Sequence, residues 1–188
     1  MVSSALFFFS VIVYLIFSLG IFRIVVRRSY RLYGRLKPGA VVLQGSVFFS
    51  WGALTWADLP PHWPFNPILP ALRIVGWFFM VVGLVTMVGL IGWFDLRVAA
   101  GWKVTSLSRR GPYAITRNPQ LLACILAAFG YVLLWLSWHS IGWLVVLMIV
   151  AHIMVLTEEE HLRMIFGIEY QEYYEQVPRY LRILPRRN

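Results

Sequence analysis

Acidic residues are scarce. The 188-residue chain has eight, and only Asp58 and Asp95 are aspartates. No Ser-His-Asp set can be assembled around them. The single cysteine, Cys124, has no partner within the chain, which excludes a disulfide scaffold. The four histidines, His62, His139, His152 and His161, are scattered, and none has the spacing of a metal site. Neither Gly-x-Gly-x-x-Gly nor a Walker loop occurs, so both common nucleotide cradles are missing. Charged residues make up 13% of the chain, against roughly 25% in a soluble domain. These shortages fit a water-soluble enzyme poorly.

Apolar residues are abundant. They reach 60%, with nine Trp, nine Tyr and thirteen Phe. A soluble domain of this length has no interior large enough to hide them. A membrane span needs about 20 predominantly apolar residues. Five runs approach this: Ala5–Val26, Val41–Ala57, Ala71–Phe94, Leu121–Trp138 and Ile141–Leu156. The first has no basic residue before it and no small-x-small cleavage site after it, so it reads as an uncleaved span. Only His139 and Ser140 separate the last two runs, which predicts a tight antiparallel hairpin. Gly76, Gly83, Gly89 and Gly92 in the third run suit close helix packing. The expected fold is all-α: a polytopic membrane bundle of about five helices in one domain, 1–188. A helical tail over 157–188 follows the last span.

The net charge of +9 is distributed by loop. Arg27, Arg28, Arg31, Arg35 and Lys37 follow the first span. Arg97, Lys103, Arg109, Arg110 and Arg117 follow the third, and Arg163, Arg179, Arg182, Arg186 and Arg187 lie in the tail. The other two connections, one of them the Pro- and Trp-rich Leu59–Pro70, carry no Lys or Arg. The positive-inside rule then puts the N-terminus outside and the C-terminus in the cytoplasm. The arginines read as topology and headgroup contacts with membrane lipids, not as a nucleic-acid surface.

Two polar islands fall on that cytoplasmic side. The first runs from Arg109 to Gln120 and contains Gly111-Pro112-Tyr113 and Arg117-Asn118-Pro119. Asn118 and Pro119 suit the opening of a helix. Free N–H groups beside Arg117 suit a carboxylate or phosphate, or else the island is a cap flanked by lipid-facing arginines. The second is Thr157-Glu158-Glu159-Glu160-His161. Three carboxylates at the C-terminal end of an apolar helix oppose the macrodipole if the helix stops. They suit a cationic ligand or a charged partner, or else a solvated face if the helix continues. His152, within the fifth run, reads as a bundle hydrogen-bonding residue.

The ordered set of motifs is more specific than any one of them. Gly111-Pro112-Tyr113 and Arg117-Asn118-Pro119 precede a two-span hairpin. Then come Glu158-Glu159, Phe166-Gly167-x-Glu169-Tyr170-x-x-Tyr173 and Val177-Pro178-Arg179. From about Leu107 to Pro185 this resembles the isoprenylcysteine carboxyl methyltransferase and phospholipid methyltransferase families of integral membrane enzymes. The resemblance implies S-adenosylmethionine as cofactor, held between the last hairpin and the tail. It also implies a lipophilic methyl acceptor entering from the membrane: a prenylcysteine carboxylate, a phospholipid amine or another hydrophobic molecule. Tyr113, Arg117, Asn118, Pro119, Glu158, Glu159, Tyr170 and Tyr173 are its implied cofactor-binding residues, with Arg117, Asn118 and Glu159 catalytic and no metal. Glu160 is an acid beyond the family pair. Asn118 stands where the family has histidine, and Leu121 where it has tyrosine. A sterol-type reductase using NADPH and a non-catalytic scaffold or lipid-handling protein are the competing readings.

Overall fold

The computed structural model describes residues 3–58, 70–93 and 107–181, and every regular element among them is helical. Long apolar runs leave the backbone no other option in hydrocarbon, because a helix satisfies its own N–H and C=O groups. Helix α1 spans Ser4–Gly20, with the Ser3 hydroxyl accepting from the Leu6 amide at 3.3 Å. It continues through a π-helical segment, Ile21–Val26, into α2, Arg27–Tyr33. The three form one rod of 30 residues, roughly 45 Å long. Arg27, Arg28 and Arg31 are therefore helical, not loop residues. Arginine is a good helix former, and the chain turns only at Gly34, where φ is 62°.

Helix α3 is Pro38–Ala57 and α4 is Pro70–Trp93. A 3₁₀ turn, Gly111–Ala114, leads to α5, Pro119–Leu134. Helix α6 is Trp138–Phe166 and α7 is Ile168–Gln176. The rod Ser4–Tyr33, α3, Ala71–Gly92 and α6 are long and apolar enough to cross a membrane; α5 is apolar but shorter.

The hairpin turn differs from the expected one. Helix α5 ends at Leu134, and α6 begins at Trp138, before His139 and Ser140. Ser137 and Ser140 decide this with a reciprocal cap: each hydroxyl accepts from the other's amide, both at 3.0 Å. Helix α6 also runs ten residues beyond Leu156, so the three glutamates lie inside a helix and face no C-terminal dipole.

The main core joins α1, the π segment, α2, α3 and α6 through Tyr14, Phe22, Tyr30, Val47, Trp143 and Val150. Polar contacts tie the same helices, with Tyr14 donating to the Val47 carbonyl at 3.0 Å and Trp51 to the Trp143 carbonyl at 2.8 Å. Helix α4 packs chiefly on α5. At Gly83 a Cβ would lie 2.5 Å from the Ala127 backbone nitrogen, so glycine is required there. Gly130 of α5 answers from the other side against Gly76 and Met80, whereas Gly89 and Gly92 meet nothing. The loop Leu59–Pro70 and the charges at Asp95, Arg97, Lys103, Arg182, Arg186 and Arg187 fall outside the described residues, except for the backbone of Pro70.

Candidate functional site

Four pieces of chain meet at one end of the bundle: the segment opening α5, the last turns of α6, helix α7, and the extended residues after it. Asn118 occupies the N-cap position of α5, but its side chain does not cap the helix. Its Nδ2 donates to the Arg179 carbonyl at 3.0 Å. The Thr116 hydroxyl donates to the same carbonyl at 3.1 Å and accepts from the Asn118 amide at 3.2 Å. The Arg117 amide donates to the Pro178 carbonyl at 3.0 Å. Arg117-Asn118 is thereby laced to Pro178-Arg179, about sixty residues later in sequence. Pro119, buried, starts the helix behind them.

The three glutamates point three ways, as neighbours about 100° apart on a helix must. Glu159 faces inward. Arg117 Nη1 lies 2.9 Å from its Oε1, and both side chains are almost sealed from solvent, at 6% and 7% exposure. Arg179 grips the same carboxylate with two parallel hydrogen bonds, Nε to Oε1 at 2.9 Å and Nη2 to Oε2 at 2.8 Å. Glu160 faces α2, where Arg27 and Arg31 donate to it at 2.7 to 3.0 Å. Glu158 has no cation and no hydrogen-bond donor among the described residues. Tyr30 and Tyr113 both feel its charge.

Aromatic rings hold the arginines in place. The Arg117 guanidinium lies 4.1 Å above Tyr174, and that of Arg163 lies 4.6 Å from the same ring. Arg117 Nη1 also donates to the Tyr170 hydroxyl at 3.3 Å, while its buried Nε has no partner. Tyr173 donates to the Tyr113 carbonyl at 2.8 Å. Burial and the Glu158 charge push the Tyr113 phenol up to about 12. Burial also raises Tyr173, and the hydrogen bonds that Arg179 donates to Glu159 raise Arg179. Tyr170 and Tyr173 are both buried, in a small core with Val177, flanked by Leu107, Leu162, Phe166 and Tyr174. Ile165, beside Phe166 in sequence, is exposed. Gly167, with φ of 50°, makes the bend that folds α7 back.

Tyr113, Arg117, Asn118, Pro119, Glu158, Glu159, Tyr170 and Tyr173 thus belong to one end of one bundle. Arg179 and Tyr174 were not singled out as site residues, although Arg179 closes the Val-Pro-Arg motif. His161 was also missed. It is buried at 3% exposure and stacks on Tyr30 with centroids 3.8 Å apart, and neither ring nitrogen has a partner. His152 bonds to the tail, its Nδ1 lying 2.8 Å from the Tyr180 hydroxyl. Chemically, the end of the bundle offers an uncommitted carboxylate, a buried guanidinium N–H and a buried neutral-faced imidazole.

Membrane-length helices, with a Glu-Arg cluster sealed at one end, define a membrane-embedded helical protein with a polar site at one end. The phospholipid methyltransferase family matches residues 65–169, more than half of the chain. The chain belongs to that family, whose class is the membrane methyltransferases. Of the two families resembled, the match is to the phospholipid one. A phosphatidylethanolamine N-methyltransferase of Komagataella phaffii is 26% identical over 155 residues. That alignment covers 75% of this chain but only 17% of the relative. No solved structure matches the chain significantly.

Proposed function

We propose that the chain transfers a methyl group from S-adenosylmethionine to the amine of a phospholipid headgroup. The observation that carries this reading is the partition of the glutamates. Glu159 is neutralised by Arg117 and Arg179, while the Glu158 carboxylate beside it has no ion pair among the described residues. An amino-acid moiety needs an acceptor for its ammonium and donors for its carboxylate. Glu158 supplies the first. The unpartnered Nε of Arg117 and the opening turn of α5 supply the second. The residues therefore fit the cofactor. When bound, it supplies an electrophilic methyl on a sulfonium.

Glu159 acts by holding Arg117 and Arg179 in place. Asn118 and Pro119 hold the tail and the start of α5, and Tyr170 and Tyr173 keep α7 seated. Tyr113 lends a half-buried ring beside Glu158. An ammonium acceptor must lose a proton before attack, and Asn118 cannot take one. The proton is lost to water, and the amine enters the site in its neutral form. The neutral lipid nitrogen would be the nucleophile toward that methyl. The order of the basic segments supports an N-terminus outside and a cytoplasmic C-terminus.

Isothermal titration with S-adenosylhomocysteine and NADPH in detergent tests the cofactor. Transfer of labelled methyl to phosphatidylethanolamine, compared with a prenylcysteine, tests the acceptor. Binding of the first ligand and label in the lipid are expected. Binding of NADPH alone, or of neither, refutes the reading. Labelling of cysteines placed at Ser3 and Asn188, in a chain lacking Cys124, tests the orientation. Reaction of both from one side refutes it.

A further inference from the structure

An open groove of about 420 Å³ lies along the end of α6, beside Arg179 of the tail. It lies within the roughly 300–1,000 Å³ of ligand sites. Its lining is Leu156, Glu159, Glu160, Arg163, Met164 and Arg179. The first five stand at i, i+3, i+4, i+7 and i+8, one face of one helix. Both carboxylates are already covered, Glu159 by Arg117 and Arg179, and Glu160 by Arg27 and Arg31. Arg163 adds a fifth guanidinium. It stacks on Tyr174 and has no carboxylate among the described residues. Five guanidiniums around two carboxylates leave the rim strongly positive over an apolar floor.

The depth of the groove is informative. The apolar part of the first rod ends at Val26, immediately before Arg27, and that of α6 ends at Leu156, immediately before Thr157. Both apolar runs therefore stop at the level of the groove, which is headgroup depth in a bilayer. We propose that this groove holds the phosphate of a glycerophospholipid. Arg163 donates to the phosphate, Arg31 and Arg179 flank it, and an acyl chain lies against Leu156 and Met164. Free phosphate matches the charge but leaves the apolar floor uncovered. The proposal rests on the methyl-transfer reading above and names the part of the acceptor that anchors it.

The test uses the full chain in a neutral detergent, titrated with dioctanoyl phosphatidylethanolamine, dioctanoylglycerol and inorganic phosphate. The phospholipid should bind at least about tenfold tighter than dioctanoylglycerol, the size of one charge-assisted hydrogen bond or more. Arg163→Gln should weaken phospholipid binding by about 10–100-fold on the same basis. Arg163→Lys should recover most of the loss, with all three chains melting alike. Inorganic phosphate at the same concentration should not displace the lipid. Equal affinity for the two lipids, indifference to Arg163→Gln, or displacement by inorganic phosphate would overturn the proposal. S-adenosylhomocysteine, titrated in parallel, separates the two readings. Arg163-dependent lipid binding without S-adenosylhomocysteine binding upholds the groove and removes the methyl-transfer reading. S-adenosylhomocysteine binding with lipid affinity independent of Arg163 does the reverse.

Discussion

Arg179 reaches back twenty residues to Glu159 and holds both its oxygens, at 2.9 and 2.8 Å, while Arg117 approaches the same carboxylate from the segment before α5 at 2.9 Å. One acid thus joins three pieces of chain: the segment opening α5, the end of α6 and the tail. Removing one partner from a buried ion pair costs more than the pair contributes, because the remaining charge is stranded.

The three glutamates should therefore respond differently to the same substitution. Glu159→Gln strands Arg117 at 6% exposure, and a loss of about 3–5 kcal/mol of stability is expected. Glu158→Gln breaks no ion pair among the described residues. It should leave the melting temperature nearly unchanged but weaken S-adenosylhomocysteine about 10–100-fold. Glu160→Gln removes a more exposed pair with Arg27 and Arg31, worth no more than about 1 kcal/mol, and should spare the cofactor. Thermal melts and titration calorimetry on the three variants check this. A cofactor defect at Glu160 in place of Glu158 would shift the register of the site by two residues.

The tail should be required for binding. Ending the chain after Gln176 removes Arg179 and the Pro178 and Arg179 carbonyls that accept from Arg117, Thr116 and Asn118. Truncation there, or after Leu156, should abolish S-adenosylhomocysteine binding measured by calorimetry. Unchanged affinity would make the tail a surface appendage.

Gly83→Leu should separate α4 from α5, since even a Cβ would collide with the Ala127 backbone. Overpacking of this kind costs about 1–3 kcal/mol or more. Gly89→Leu, in open space on the same helix, is the control and should melt like wild type.

Much of this was legible in the chain itself. Apolar run length determined the helices, since hydrocarbon leaves the backbone little alternative. Asn118-Pro119 marked the opening of α5. Boundaries were less legible. The first helix ran on through its arginines because nothing there breaks a helix before Gly34. The Ser137-Ser140 cap drew the start of α6 three residues ahead of the predicted span.

Local sequence also required the three glutamates to face three directions, because consecutive helix positions are about 100° apart. It carried no information about what stands in each direction. Only the tertiary structure put Arg27 and Arg31 beside Glu160, some 130 residues away, and Arg117 with Arg179 beside Glu159. That assignment left Glu158 uncommitted and His161 buried against Tyr30. A charge's partner is a matter of distance in space, and helical periodicity sets direction along one element alone. The residue types were therefore written in the sequence, while their division into held and available groups was decided by packing.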